Sequence, residues 1–237
     1  MATVILVRHG RSTANVAGIL TGRAAGVDLD AVGRGQAVRT AERLAVVPLV
    51  AVVSSPLARC RQTARVIAAH QGETVRTQLE AGIVECDYGQ WQGRPLRELA
   101  QEPLWSVVQT RPSEAVFPGG ESLTAMQARA VAAIRRHDAA AQTEHGPGAV
   151  WVAVTHGDIV KSVLADALGM GLDLFQRITV NPGSVSIVRY GTERPEVVAT
   201  NTDSGDLSWL RAAGPVGDAP VGGGAGPAPA APNPAHS

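Results

Sequence analysis

Two places in the 237-residue chain end an apolar run in the same way: Arg8-His9-Gly10 follows Thr3 to Val7, and Thr155-His156-Gly157 follows Ala149 to Val154. A third apolar run, Leu49 to Val53, leads into a segment that carries Arg59. In an open parallel sheet the carboxyl ends of the strands form the usual ligand crevice, so these groups can converge although they lie far apart in sequence. Two guanidiniums and a helix N-terminus make an anion site whose fork geometry fits a phosphoryl group. A neutral imidazole there can attack phosphorus, because the cations neutralise the oxygens that repel a nucleophile. The departing oxygen then needs a proton, and Glu85, just before a glycine-rich excursion, is the best-placed carboxylic acid, provided its surroundings hold its pKa up.

The elements that must position these groups follow from the apolar pattern. Thr3 to Val7 and Leu49 to Val53 are short β-branched runs without polar alternation, as in strands buried on both faces. Between them Ala37, Val38, Ala41, Leu44 and Ala45 recur at helical spacing from Ala31 to Val47, and Pro48 closes the segment. Ser54 or Ser55 is suited to cap a helix with Pro56 in its first turn. One helix is predicted from Pro95 to about Gln109, another from Glu121 to Ala140 and a third from Asp158 to Leu168. Further strands are predicted at Ser184 to Arg189 and Glu196 to Thr200. The alternation implies a three-layer α/β/α sandwich, with a mostly parallel central sheet and helices on both faces. Residues 1–211 form the expected domain, and a lid-like insertion at about 86–120 is broken up by Gly89, Gly93, Pro95, Pro103, Pro112 and Pro118. From about 212 to 237 the chain is Gly, Pro and Ala with almost no large apolar groups, which predicts a disordered tail dispensable for phosphate chemistry.

Composition narrows the classes. Lys+Arg and Asp+Glu balance at 21 each, which speaks against a nucleic-acid coat or a membrane-surface binder. No apolar run reaches the roughly 18 residues of a membrane span, and no signal-peptide pattern opens the chain, so a cytoplasmic protein is expected. Cys60 and Cys86 lack metal-ligand spacing, and His156 with Asp158 lacks the rest of a metal ligand set. Among the basic residues only Lys161 is a lysine.

The motifs together resemble a known family. Val7 to Asn15 is similar to the RHGxTxxN signature of the histidine phosphatase superfamily, also called phosphoglycerate mutase-like. Leu29 to Ala37 resembles its LTxxGxxQA segment, with Asp30 where threonine is common, and Ser54 to Ala64 resembles SSPLxRxxxTA. Glu85 to Gly93 resembles ExDFGxWEG, Phe117 to Ser122 resembles the PGGES loop, and Thr155-His156-Gly157 completes the set. The resemblance covers roughly residues 3 to 200.

It implies the phosphoglycerate mutase-like fold and a phosphatase that needs no metal or other cofactor. His9 is then the phosphorylated nucleophile and Glu85 the proton donor. Arg8, Arg59 and His156 bind phosphoryl oxygens, and Ser12, Asn15 and Gly157 belong to the phosphate pocket. Arg11 stands where family members carry Glu or Gln and leaves substrate preference open. Trp91 suits either lid packing or the pocket wall. The expected partner is a small phosphorylated substrate, with neither nucleic acid nor membrane, and a homodimer is left open. A phosphoglycerate mutase-type phosphomutase is the rival activity, and a non-catalytic phospholigand-binding protein is the rival of another class. The segment after Glu85 reads Asp-Tyr-Gly rather than the His-Tyr-Gly of cofactor-dependent mutases, which favours hydrolysis.

Overall fold

A computed structural model describes residues 2–72, 75–191, 194–203, 222 and 224. Its six strands are β1 (Thr3–Arg8), β2 (Leu49–Ser54), β3 (Arg76–Leu79), β4 (Val150–Thr155), β5 (Val185–Tyr190) and β6 (Pro195–Thr202). They form one sheet in the order β3-β2-β4-β1-β5-β6. β1 through β4 are mutually parallel, and β5 and β6 add an antiparallel edge. The mixed, mostly parallel α/β sheet is the architecture expected from the alternation of elements. β1 and β4 lie side by side, with Arg8 opposite Thr155, so the two His-Gly turns leave the sheet at the same level.

Seven α-helices accompany the sheet among the described residues: α1 (Thr13–Ala17), α2 (Ala31–Leu44), α3 (Ala58–Ala69), α4 (Leu96–Leu99), α5 (Pro103–Thr110), α6 (Leu123–His145) and α7 (Gly157–Ala167). Because successive strand side chains alternate between faces, Ile5 and Val7 join one core with Ala41, Leu44, Cys60 and Ile67 of α2 and α3. Val4 and Leu6 join the other, with Met126 and Ile134 of α6 and Val160 and Leu164 of α7. Each such aliphatic side chain taken from water contributes roughly 1.5–3 kcal/mol.

Four local expectations change. The helix predicted from Pro95 to Gln109 is two helices, because Pro103 has no N–H to continue the ladder and instead starts α5 in its first turn. α3 begins after Leu57, without a side-chain cap, so neither Ser54 nor Ser55 caps it. α1 and β3 were not anticipated: α1 is a single short turn held by its cap, and β3 is a polar edge strand, Arg-Thr-Gln-Leu, with little apolar signal. The predicted tail, 212–237, lies outside the described residues except for Gly222 and Gly224. No helix among the described residues is long and apolar enough to cross a membrane.

Candidate active site

At the carboxyl end of β1, His9 Nδ1 donates to the carbonyl of Gly10 at 2.7 Å. This fixes the tautomer and leaves a lone pair on Nε2, to which Arg59 Nε donates at 3.2 Å. The turn is tight: a Cβ on Gly10 would strike the Gly33 carbonyl, which is why glycine follows the histidine. Thr63, one turn into α3 from Arg59, ties the two segments together. Its hydroxyl accepts from Gly10 N at 3.2 Å and donates to the Arg59 carbonyl at 2.9 Å.

His156 leaves β4 beside it, with ring centroids 5.3 Å apart and the planes at 67°. Arg59 Nη2 contacts His156 Nδ1 at 3.2 Å and donates to the Gly22 carbonyl at 2.8 Å. A guanidinium only donates, so His156 Nδ1 is the acceptor and its Nε2–H points at Ser55 Oγ, 2.8 Å away. The hydroxyl expected at a helix cap therefore holds the second histidine instead. Arg59 Nη1 is buried without a hydrogen-bond partner, a donor with capacity for an anion.

Glu85 is buried, and its Oε1 accepts from Cys86 N at 3.0 Å. Its Oε2 lies 3.9 Å from His156 Nδ1. Burial first, and the charge of Asp158 second, push its pKa up to about 8, so the carboxyl is protonated at neutral pH. The imidazoles move the other way. Burial and the charges of Arg59 and Arg8 hold His9 well below its ordinary value, and burial with Arg59 does the same to His156. Both rings are neutral where the acid is protonated.

The cavity at this point is lined by His9, Asn15, Arg59, Glu85, Tyr88 and Leu96 among others. The predicted residues thus come together, but not equally. Arg8, His156 and Gly157 stand behind the cavity wall, fully buried, with Arg8 Nη1 donating to the Val180 carbonyl at 2.7 Å. Ser12 is turned away: its hydroxyl accepts from Asn15 N and donates to Asn15 Oδ1 at 2.9 Å, closing the capping box of α1. Asn15 is both the other half of that box and a cavity residue. Trp91 belongs to the insertion's packing, stacked on Trp105 and edge-on to Phe117, and does not line the cavity. Ser55, Thr63, Tyr88 and the Gly22 carbonyl were missed as site groups. Ser55 and Thr63 sat within the SSPLxRxxxTA match, the only signal that pointed to them.

The two departures from the family pattern at Arg11 and Asp30 find each other. Arg11 Nη2 and Nε both reach Asp30 Oδ2 at 2.7 Å, while Asp30 Oδ1 caps α2 through Gly33 N. The charge at Arg11 is thereby tied to a helix cap, away from the cavity wall.

A sheet that brings two strand-end histidines beside one arginine and a protonated glutamate has groups suited to phosphoryl chemistry. The chain belongs to the histidine phosphatase superfamily, branch 1, whose family model matches residues 4–203. A Yersinia pestis protein named "Probable phosphoglycerate mutase GpmB" is 30% identical over 192 residues, 80% of this chain and 86% of that protein. Among solved structures, the alpha-ribazole phosphatase of Shigella flexneri superposes with a TM-score of 0.73 at 25% identity, covering 84% of this chain and 96% of that one. YhfR of Bacillus stearothermophilus does so with a TM-score of 0.78 at 25% identity, covering 86% and 98%.

Proposed function

We propose that the chain is a phosphomonoester hydrolase that works through a phosphohistidine intermediate on a small phosphorylated metabolite, without a metal. The observation that carries this is the pairing of a neutral His9, its Nε2 lone pair facing Arg59, with a Glu85 carboxyl kept protonated in the same cavity.

In the first step His9 Nε2 attacks phosphorus in line. The phosphorus bond to the ester oxygen breaks, and that oxygen leaves with the Glu85 proton. Arg59 turns its guanidinium to the phosphoryl oxygens, and the Arg8 charge behind the wall adds to the field that stabilises them. His156 then places its proton on Nδ1 to donate to a phosphoryl oxygen, and the Ser55 hydroxyl, able to donate as well as accept, takes over at Nε2. In the second step water attacks the phosphohistidine and gives its proton to the Glu85 carboxylate. The phosphorus–nitrogen bond breaks, and phosphate leaves with His9 and Glu85 restored.

The rival activity, phosphomutase, has the Yersinia relative in its favour. Returning the phosphoryl group to a second site on an acidic substrate calls for further cations in the cavity. Among the described residues the wall carries one cationic side chain, Arg59. Two of the insertion's three arginines point to local partners, Arg94 to Glu102 at 2.8 Å and Arg111 to Glu114 at 3.1 Å. Mixing the pure protein with 3-phosphoglycerate and a trace of 2,3-bisphosphoglycerate separates the two activities. Phosphate release inhibited by vanadate and insensitive to EDTA is expected, and isomerisation without release would overturn the reading.

A further inference from the structure

Glu121, two residues before α6, takes no part in the chemistry above, yet three segments of the chain meet on its carboxylate. Its Oε1 accepts from Asp87 N at 2.9 Å, from Arg23 Nη2 at 2.8 Å and from Arg129 Nη2 at 2.6 Å, and its Oε2 accepts from Arg129 Nε at 3.0 Å. Its own N–H donates to the Asp87 carbonyl at 2.9 Å. Partial burial works against the charge, but Arg129, the Asp87 amide and Arg23 hold the carboxyl below its ordinary range, so it is ionised at neutral pH. Arg129 then turns to the backbone that carries the catalytic acid. Its Nη1 donates to the carbonyls of Gly82 and Val84 at 2.9 and 2.7 Å, and its Nη2 to the carbonyl of Glu85 at 3.1 Å. A guanidinium has five N–H donors, and here all five are used. Arg23 Nε reaches the same Glu85 carbonyl at 2.9 Å. The loops also touch directly, since a Cβ on Gly120 would strike the Asp87 carbonyl.

We infer that Glu121, Arg129 and Arg23 are positioning residues, a clamp on the backbone of residues 82–87 that sets where the Glu85 carboxyl stands in the cavity. The inference rests on the proposed role of Glu85 as proton donor. That carboxyl must give up and regain a proton in each cycle, and a cation bonded to its own oxygens would favour the charged form throughout. Gripping the main chain instead fixes the position of the acid and leaves its proton free to move. The grip is on both sides, at Gly82 and Val84 before Glu85 and at Asp87 after it, with the Glu85 carbonyl between. Position matters because a general acid works only within hydrogen-bond reach of the oxygen it protonates. A displacement of about 1 Å costs on the order of 10²-fold in rate. Lysine at 129 cannot replace the arginine, because a point charge with three donors cannot span a carboxylate and three carbonyls. Glutamine at 121 turns one accepting oxygen into an NH2 that faces a donor.

The test compares Arg129→Lys and Glu121→Gln with Glu85→Gln in the full chain, using phenyl phosphate, whose leaving oxygen needs a proton, and p-nitrophenyl phosphate, whose leaving oxygen hardly does. Arg23→Met, at a half-exposed site, serves as a milder variant if either of the first two fails to fold. Each clamp variant is expected to lose about 10- to 100-fold in kcat for phenyl phosphate and less than about 3-fold for p-nitrophenyl phosphate, with KM for both little changed. In the Glu85→Gln background the same substitutions are expected to cost less than about 3-fold, because the clamp then has no acid to place. Equal losses on the two esters, or a full loss repeated in the Glu85→Gln background, would reduce the clamp to a structural role and overturn the inference. The two readings fail differently. If Glu85→Gln itself treats the esters alike, the proton-donor role falls and the clamp's role with it. If Glu85→Gln separates the esters and the clamp variants do not, only the clamp falls.

Discussion

The ends of β1 and β4 are near copies in sequence, a strand running into His-Gly, and neighbours in the sheet, yet they present their imidazoles differently. His9 has one nitrogen pinned to the next residue's carbonyl and the other turned to the cavity, where it meets a cation. His156 is held by Arg59 and by Ser55, just past the strand beside it, and stands behind the wall. A ring fixed from its own backbone keeps a lone pair for attack. A ring fixed from two other elements serves as a positioned hydrogen-bonding group. Local tethering against remote tethering thus separates the nucleophile from its neighbour where the motif alone does not.

The largest effect follows directly. His9→Ala is expected to abolish turnover of an aryl phosphate and the acid-labile phosphohistidine signal, since among the described residues no other imidazole lines the cavity. His156→Ala would remove one donor to the transition state, at a cost of about 10²–10³-fold in kcat, and still form the phosphoenzyme. Trapping on a quenched-flow gel checks both. A phosphoenzyme in His9→Ala that vanishes in His156→Ala would reverse the assignment.

Glu85 sharpens the contrast because it sits between the rings. Its Gln variant is expected to lose about 10²–10⁴-fold in kcat for esters with poor leaving groups and much less for p-nitrophenyl phosphate, whose leaving oxygen needs little protonation. The acid must carry its proton, and its pKa is raised to about 8, so kcat/KM is level below that value and falls as pH rises through it. Above pH 7 the substrate is already dianionic and His9 neutral, so neither masks the decline. A stopped pH titration from 7 to 9.5 reads it, and a level profile through pH 9 in the wild type would remove Glu85 from the acid's role.

How much of this could be read beforehand depends on the range of the interaction. β1, β2, β4 and β5 were visible as apolar runs because burial on both faces writes itself into consecutive residues. His9, Arg59, Glu85 and His156 were visible because chemistry restricts residue type. Edge strand β3 escaped because one exposed side and a polar composition leave no period to detect. Ser12 and Ser55 are the instructive pair. Both hydroxyls suit a helix cap or a ligand, and their neighbours in sequence do not decide between them. Ser12, read as a phosphate-binding group, caps α1, while Ser55, read with Ser54 as an alternative cap, holds His156. Partners remote in sequence made the difference, as they did for Arg11 and Asp30, two departures from the family pattern that cancel as a pair.

The smallest effect tests the remote tether itself. Ser55→Ala leaves His156 Nε2 buried, with the weak neighbour Cys60 Sγ at 3.5 Å in place of a hydroxyl. Burial pushes that thiol up to about 12, so it stays uncharged and cannot stand in as an anion. Loss of one neutral hydrogen bond costs about 0.5–1.5 kcal/mol, or roughly 2- to 10-fold in kcat. If the hydroxyl's task is to let His156 move its proton to Nδ1 when phosphate arrives, the cost falls on kcat and on vanadate affinity together, while KM for a small ester changes little. Ser55→Thr keeps the hydroxyl and should recover most of the loss. A KM effect alone, or Thr and Ala variants that behave alike, would mean that Ser55 only fills space, and that His156 is held by Arg59 without help from β2.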